Sequence, residues 1–91
     1  MIIAKVVGNI WATKKEDGLT GMKFLVVRPT QSHAKGTFVA IDAVGAGIGE
    51  DVIVCQGSSA RTIFSDSNVP VDAVIVGIVD TLEVDESLLD A

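Results

Sequence analysis

Residues 73–82 read AVIVGIVDTL, a run dominated by valine and isoleucine. These β-branched side chains favour strands over helices, so the run predicts a β-strand. Successive side chains of a strand point to opposite faces, and here positions 74, 76 and 78 are as apolar as positions 75 and 79. One apolar face can fill the interior of a barrel, and we expect the other face to need a partner.

The rest of the chain repeats this pattern in shorter pieces. Turn-forming or charged residues separate the apolar runs, which predicts short connections between strands. After the apolar run at residues 51–56, residues 57–64 carry serines suited to an N-cap and predict a short helical turn. The four further predicted strands are residues 2–13, 22–28, 38–44 and 51–56.

Five strands and one short helix in 91 residues predict an all-β protein with a small five-stranded OB-like β-barrel. Closing the sheet removes exposed strand edges from a small domain. An open β-sandwich is the alternative. The hydrophobic fraction of 48% and the charged fraction of 21% exclude a disordered chain. We expect one barrel domain over residues 1–82 and an acidic C-terminal tail over residues 83–91.

The charge of the chain argues against several classes of partner. The net charge of −5 disfavours nucleic acid, because a phosphate-binding surface needs the opposite sign. The apolar runs are too short to span a membrane and no signal peptide is recognisable, so we expect a cytoplasmic protein. Cys55 and His33 are the one cysteine and the one histidine, which predicts neither a metal site nor another cofactor.

The glycine loop, residues 45–49 (GAGIG), could be mistaken for a phosphate-binding loop. The dinucleotide fingerprint needs a third glycine where Glu50 stands, and that carboxylate would repel phosphate. Three glycines in five residues instead favour positive φ angles or a close approach to another backbone. We find no nucleophile with a base, and no carboxylate pair stands out, so an enzyme is not expected. Trp11 reads as a core or interface residue.

Two neighbouring segments, residues 42–50 (DAVGAGIGE) and 57–61 (GSSAR), joined through 52–54 (VIV), resemble the paired central motifs of the EutN/CcmL family. The openings of the chains are also similar (residues 3–8, IAKVVG), as are residues 71–73 and 77–80 (VDA and GIVD). This family comprises the pentameric vertex proteins of bacterial microcompartment shells. The likeness extends to about Asp80, and the acidic tail lies beyond it.

The resemblance implies a structural shell protein: a homopentamer at the vertices of a polyhedral shell made mostly of hexameric shell proteins, in the bacterial cytoplasm. From the same resemblance we place the glycine loop near the five-fold axis and assign an assembly role to residues after it. The axis residues are Gly45, Ala46, Gly47, Ile48 and Gly49, and the assembly residues are Glu50, Gly57, Ser58, Ser59, Ala60 and Arg61.

Two further expectations remain open at this point. The residues alone also allow a small oligomeric β-barrel that binds a small molecule or a protein partner. Arg61 is expected to form a charge-assisted hydrogen bond with a carboxylate or a carbonyl rather than to act in catalysis. The candidate carboxylates are Asp42, Glu50 and an acid of a neighbouring subunit.

Overall fold

The barrel is complete in the computed structural model, which describes residues 1–30, 36–64 and 69–89. Within the described residues the strands are β1 (Ile2–Ile10), β2 (Phe24–Pro29), β3 (Phe38–Asp42), β4 (Asp51–Gln56) and β5 (Ala73–Ile78). They close in the order β1-β2-β3-β5-β4, with β4 pairing back onto β1. Neighbouring strands run antiparallel, except for the parallel pair β3 and β5. Closure confirms the predicted barrel over the open sandwich.

Small aliphatic side chains fill the barrel interior. Val52 and Val54 of β4 point inward and are fully buried. The residues that alternate with them, Asp51, Ile53 and Cys55, are half-buried, as expected for a strand with one face toward the interior. Alanine and valine predominate because five short strands enclose a narrow space. The buried interior consists of Ala4, Val6, Leu25, Val27, Ala40, Ala46, Val52, Val54, Ala73 and Ile75.

A second, smaller cluster covers the outer face of β5. Val74 is buried there against Ile41 and against Ala60 of a 3₁₀ helix, Gly57–Ile63, which we call the central 3₁₀ helix. The expectation that the second apolar face of this strand needs a partner molecule is therefore wrong for Val74. The chain covers that side chain itself, because the connection between β4 and β5 folds back onto both strands.

Three predicted strands are too long at their C-terminal ends. β1 ends at Ile10 rather than residue 13, β3 ends at Asp42 rather than 44, and β5 ends at Ile78 rather than 82. Pairing sets these ends, because Ile10 is already opposite Phe24, the first residue of β2. That strand also begins two residues later than predicted and runs one residue further, to Pro29.

The helical turn after β4 is present, but its geometry differs from the prediction. It is a 3₁₀ helix that begins after Gln56, and no side chain caps its first turn. Ser59 bonds backward instead, because its hydroxyl donates to the carbonyl of Gln56 at 3.0 Å. In the parts of the chain that the structure describes, two more 3₁₀ turns occur at Asp17–Leu19 and Glu86–Leu88.

The C-terminal segment, which we define as residues 80–89, leaves the barrel after β5 and is exposed along its whole length. His33 and the tail acid Asp90 lie outside the described residues. Across residues 1–30, 36–64 and 69–89, no helix is both long and apolar enough to cross a lipid bilayer.

Candidate functional site

Asp42, the last residue of β3, holds the start of the glycine loop. Its side chain is only 2% exposed, and its Oδ1 accepts hydrogen bonds from the amides of Val44 and Gly45, both at 3.0 Å. Its Oδ2 lies 3.6 Å from the Nζ of Lys23. Backbone amides of this kind bind phosphate in nucleotide-binding loops, but here a carboxylate of the same chain occupies two of them.

Glu50 and Lys23 fasten the middle of the loop. The amide of Gly47 donates to Oε1 of Glu50 at 2.7 Å, and Nζ of Lys23 donates to the carbonyl of Ala46 at 2.7 Å. The methyl group of Ala46 is buried in the barrel interior. A charge-assisted bond on each side of a buried side chain keeps the loop in one conformation.

The end of the loop is tied to β1 by two backbone hydrogen bonds. The amide of Gly49 donates to the carbonyl of Val6 at 2.8 Å, and the amide of Val6 donates to the carbonyl of Glu50 at 2.9 Å. Gly45 and Gly49 have φ angles of +86° and +93°, where other residues are strained, whereas Gly47 lies outside that region. The predicted positive φ is thus found at two of the three loop glycines.

The second predicted motif divides into internal and surface residues. Ala60 is fully buried in the second cluster, and Ser59 is held by its bond to Gln56 and lies 3.4 Å from Sγ of Cys55. Gly57 donates its amide to the carbonyl of Asp72 at 2.7 Å, which joins the central 3₁₀ helix to the approach to β5. Ser58 is exposed and Arg61 is half-exposed, so these two can meet another molecule.

Two of the predicted partners of Arg61 form hydrogen bonds with the glycine loop. Asp42 and Glu50 both direct their carboxylates to amides of the glycine loop. Both carboxylates therefore hold the glycine loop. The prediction that Arg61 bonds to an acid of a neighbouring subunit stays a prediction.

The two motifs are joined by β4, because Glu50 immediately precedes Asp51 and Gly57 immediately follows Gln56. A strand rises about 3.3 Å per residue, so the six residues of β4 place Glu50 and Gly57 about 20 Å apart. The other end of the first motif lies nearer, because Asp42 follows Ile41, which packs against Ala60. The glycine loop is bonded to β1 and Lys23, whereas the central 3₁₀ helix packs on β4 and β5.

A groove beside the glycine loop was not predicted from the sequence. It has a volume of about 560 Å³ and forms where the connection after β1 passes Gly47 and Ile48. Trp11 at its wall is 92% exposed and Ile48 is 61% exposed, so Trp11 is a surface residue and not part of the core. The signal available in the sequence was a tryptophan next to the polar stretch of residues 12–18, where burial is not expected.

No three His, Cys, Asp or Glu side chains among the described residues converge as metal ligands. The arrangement consists of a rigid loop, an apolar groove next to it and a second exposed motif across β4. Such features suit contact between macromolecules rather than transformation of a substrate.

Comparison with known protein families agrees with this description. The family model for ethanolamine utilisation protein EutN/carboxysome matches residues 1–80. The microcompartment shell vertex protein PduN of Salmonella typhimurium is 45% identical over 90% of this chain and 98% of its own length. The carboxysome shell vertex protein CcmL of Thermosynechococcus vestitus is 46% identical over 98% of this chain and 93% of its own. These relatives are named as shell components and not as enzymes.

Solved structures share the same barrel. GrpN of Rhodospirillum rubrum, a pentameric microcompartment shell protein, superposes with a TM-score of 0.82 at 44% identity, covering 93% of this chain and all of its own. CcmL of Gloeobacter violaceus superposes with a TM-score of 0.84 at 39% identity, covering 93% and 91% of the two chains. With a family match over residues 1–80 and these likenesses over most of both chains, this protein belongs to the EutN/CcmL family of shell vertex proteins.

Proposed function

We propose that five copies of this chain form a ring that caps the vertices of a bacterial microcompartment shell. The observation that carries the proposal is the family match over residues 1–80 together with 44% identity to a pentameric shell protein. Flat sheets can be tiled by hexagons alone, whereas a closed polyhedral shell also needs pentagons. A heterologous interface repeated by a closing rotation produces such a ring.

The single chain has properties that suit this role. Its barrel has a buried interior of its own, yet Trp11, Ile48 and Val44 remain exposed around the glycine loop. The loop is fixed by Asp42 and Glu50 before any partner arrives. Association therefore costs little ordering entropy there, which favours a tight interface.

The placement of the two motifs in the ring is part of this proposal. The glycine loop lies near the five-fold axis, where three glycines, two of them with positive φ, present no side chains and let five copies approach closely. The central 3₁₀ helix follows the end of β4 that is opposite Glu50, so we place Ser58 and Arg61 against a different neighbour. They contact an adjacent subunit or a shell protein beyond the ring.

The partners outside the ring are hexameric shell proteins, and the site of action is the shell in the bacterial cytoplasm. Homologues of this chain are named as components of microcompartment and carboxysome shells. Five equivalent edges dock around one vertex, so a weak contact at each edge gives strong binding in total.

Native mass spectrometry tests the ring directly. We expect a species at five times the chain mass of 9.5 kDa, which is about 47.5 kDa. A chain that remains monomeric or dimeric at every concentration would contradict the proposal and favour a small binding module.

Gene deletion tests the role of the ring in the shell. In a host that makes the compartment and has no second vertex protein, we expect elongated or open shells by electron microscopy. The encapsulated enzymes should keep full activity in lysates, because the ring performs no chemical step. Closed shells with normal facets in the deletion strain would contradict the vertex role.

A further inference from the structure

The groove beside the glycine loop is an apolar surface that the single chain leaves open. Its volume of about 560 Å³ is large enough for several side chains. An exposed tryptophan next to further apolar residues marks an interaction surface, because aromatic side chains contribute most to interface energies. Its apolar wall consists of Ile10, Trp11, Met22, Phe24 and Ile48.

The C-terminal segment has a complementary character. Residues 80–89 read DTLEVDESLL, in which apolar and acidic side chains are interspersed. Leu88 is 77% exposed and Leu89 is 66% exposed, and Leu82 and Val84 are also exposed. Four exposed apolar side chains in ten residues are unusual for a segment that serves only solubility. All of the segment after Asp80 lies beyond the family match, which ends at that residue.

We propose that the C-terminal segment of one copy docks in the groove of the neighbouring copy and covers Trp11. This inference rests on the proposed ring. The groove and the root of the segment both lie close to the glycine loop. Val79 donates its amide to the carbonyl of Asp51 at 2.8 Å, one residue after Glu50. Where subunits meet beside this loop, the segment of one copy therefore starts near the groove of the next.

The length of the segment is sufficient for this contact. Residues 80–85, which precede the 3₁₀ turn at Glu86–Leu88, span about 20 Å when extended. This length approaches the two shorter dimensions of the chain, 24 and 23 Å. In the single chain both the groove and the segment are exposed, so the chain does not fill its own groove. A segment passed from each copy to the next repeats one heterologous contact around the ring.

Charge also favours this occupant. Lys15 and Lys23 line the groove, and the segment carries Asp80, Glu83 and Asp85. Lys23 is already engaged with Ala46 and Asp42. An ammonium group has three donors, and Lys15 uses one of them on the carbonyl of Ala12 at 2.9 Å. Lys15 is therefore placed to receive a carboxylate of the incoming segment.

The chain contains one tryptophan, so the fluorescence of Trp11 reports whether the groove is occupied. We expect the assembled full-length ring to show blue-shifted emission and several-fold weaker acrylamide quenching than protein diluted to monomer. Leu88→Ser with Leu89→Ser should restore strong quenching within the ring. Removing two buried leucines should also raise the dissociation concentration by at least about tenfold.

Lysine substitutions provide a matched pair. Lys15→Glu should weaken the protection of Trp11, whereas Lys14→Glu, which changes charge equally on a residue outside the groove wall, should leave it unchanged. Three results would overturn the docking. The first is a ring in which acrylamide quenches Trp11 as strongly as in the monomer. The second is a protection of Trp11 from acrylamide that the Leu88→Ser, Leu89→Ser variant does not alter, and the third is a protection that does not depend on protein concentration. A chain that never forms a ring overturns the pentamer and the docking together, and native mass spectrometry identifies that case.

Discussion

The glycine loop and the C-terminal segment begin near the same end of β4 but are held in opposite ways. Amides at the start and middle of the loop donate hydrogen bonds to the carboxylates of Asp42 and Glu50, and Lys23 donates one to a loop carbonyl. The end of the loop is also bonded to the backbone of β1. The C-terminal segment is exposed throughout, and its 3₁₀ turn at Glu86–Leu88 is stabilised by neighbours in sequence. The loop is thus shaped by its own chain.

This difference identifies what each region can contribute to assembly. A pre-organised loop gives a defined surface at little entropic cost, whereas an exposed segment must lose conformational freedom when it binds. The segment can, however, reach further than the loop. Stability measurements on the single chain should therefore be sensitive to the loop and insensitive to the segment.

Asp42→Ala should give the largest effect on this comparison. It removes two amide hydrogen bonds and the ion pair with Lys23. We expect the free energy of unfolding to fall by about 2 kcal/mol, because the lost bonds involve a charged acceptor. Urea denaturation of the Asp42 variant and the wild type measures this change.

Asp80→Ala is the matched control, since it removes an acid from the exposed segment. In the monomeric protein, where the segment binds no neighbouring copy, it should change the free energy of unfolding by no more than about 0.5 kcal/mol. Equal effects of the Asp42 and Asp80 substitutions would show that the loop is not held by its carboxylate.

Gly49→Ala should have the next largest effect. Gly49 has a φ of +93°, and no atom lies within 4 Å of a Cβ built there, so the backbone alone determines the cost. A left-handed conformation costs an L-residue about 1–2 kcal/mol. Gly47→Ala is the control: its Cβ would meet Oε1 of Glu50 at an ordinary 3.5 Å.

Thermal unfolding compares the two glycine variants. The Gly47 variant should match the wild type or exceed it slightly, because alanine reduces the entropy of the unfolded chain. If Gly47→Ala destabilises the protein more than Gly49→Ala, the loop does not have the described conformation in solution.

Local sequence signals predicted those features whose limits are also local. The bounds of β4 were predicted correctly because Glu50 precedes the apolar run and Gly57 follows it. β1 and β5 were predicted too long, because their apolar residues continue past the last residue with a pairing strand. The length of a partner strand cannot be read from one segment.

The candidate site was predicted in the same uneven way. The motif residues around the glycine loop stood out, but Glu50 was considered for its repulsion of phosphate, for assembly and as a partner of Arg61, and not as the acceptor for Gly47. Asp42 could have been anticipated, since aspartate often accepts from amides two or three residues ahead in a turn. The groove could not, because it forms between segments distant in sequence, Trp11 and Ile48.

The smallest predicted effect concerns Asp85 and tests whether order in the C-terminal segment is local. Its Oδ1 accepts from the hydroxyl of Ser87 at 2.6 Å and from the amide of Ser87 at 3.0 Å. The bond from the hydroxyl has the larger effect and the bond from the amide the smaller one, and together they lower the pKa of Asp85 below its ordinary value of 3.8. Because the turn lowers this pKa, its stabilisation is present above the ordinary value and is lost as the pH falls through the lowered one.

A proton-detected NMR titration of the Ser87 amide should follow this loss. Ser87→Ala removes the stronger bond and should return the pKa of Asp85 toward its ordinary value. The thermal midpoint of the barrel should not move in the same variant, because the segment makes its bonds within itself. A pKa that Ser87→Ala leaves unchanged would show that a group outside the turn acts on Asp85. A shifted barrel midpoint would show that the segment is coupled to the barrel within one chain, as the glycine loop is.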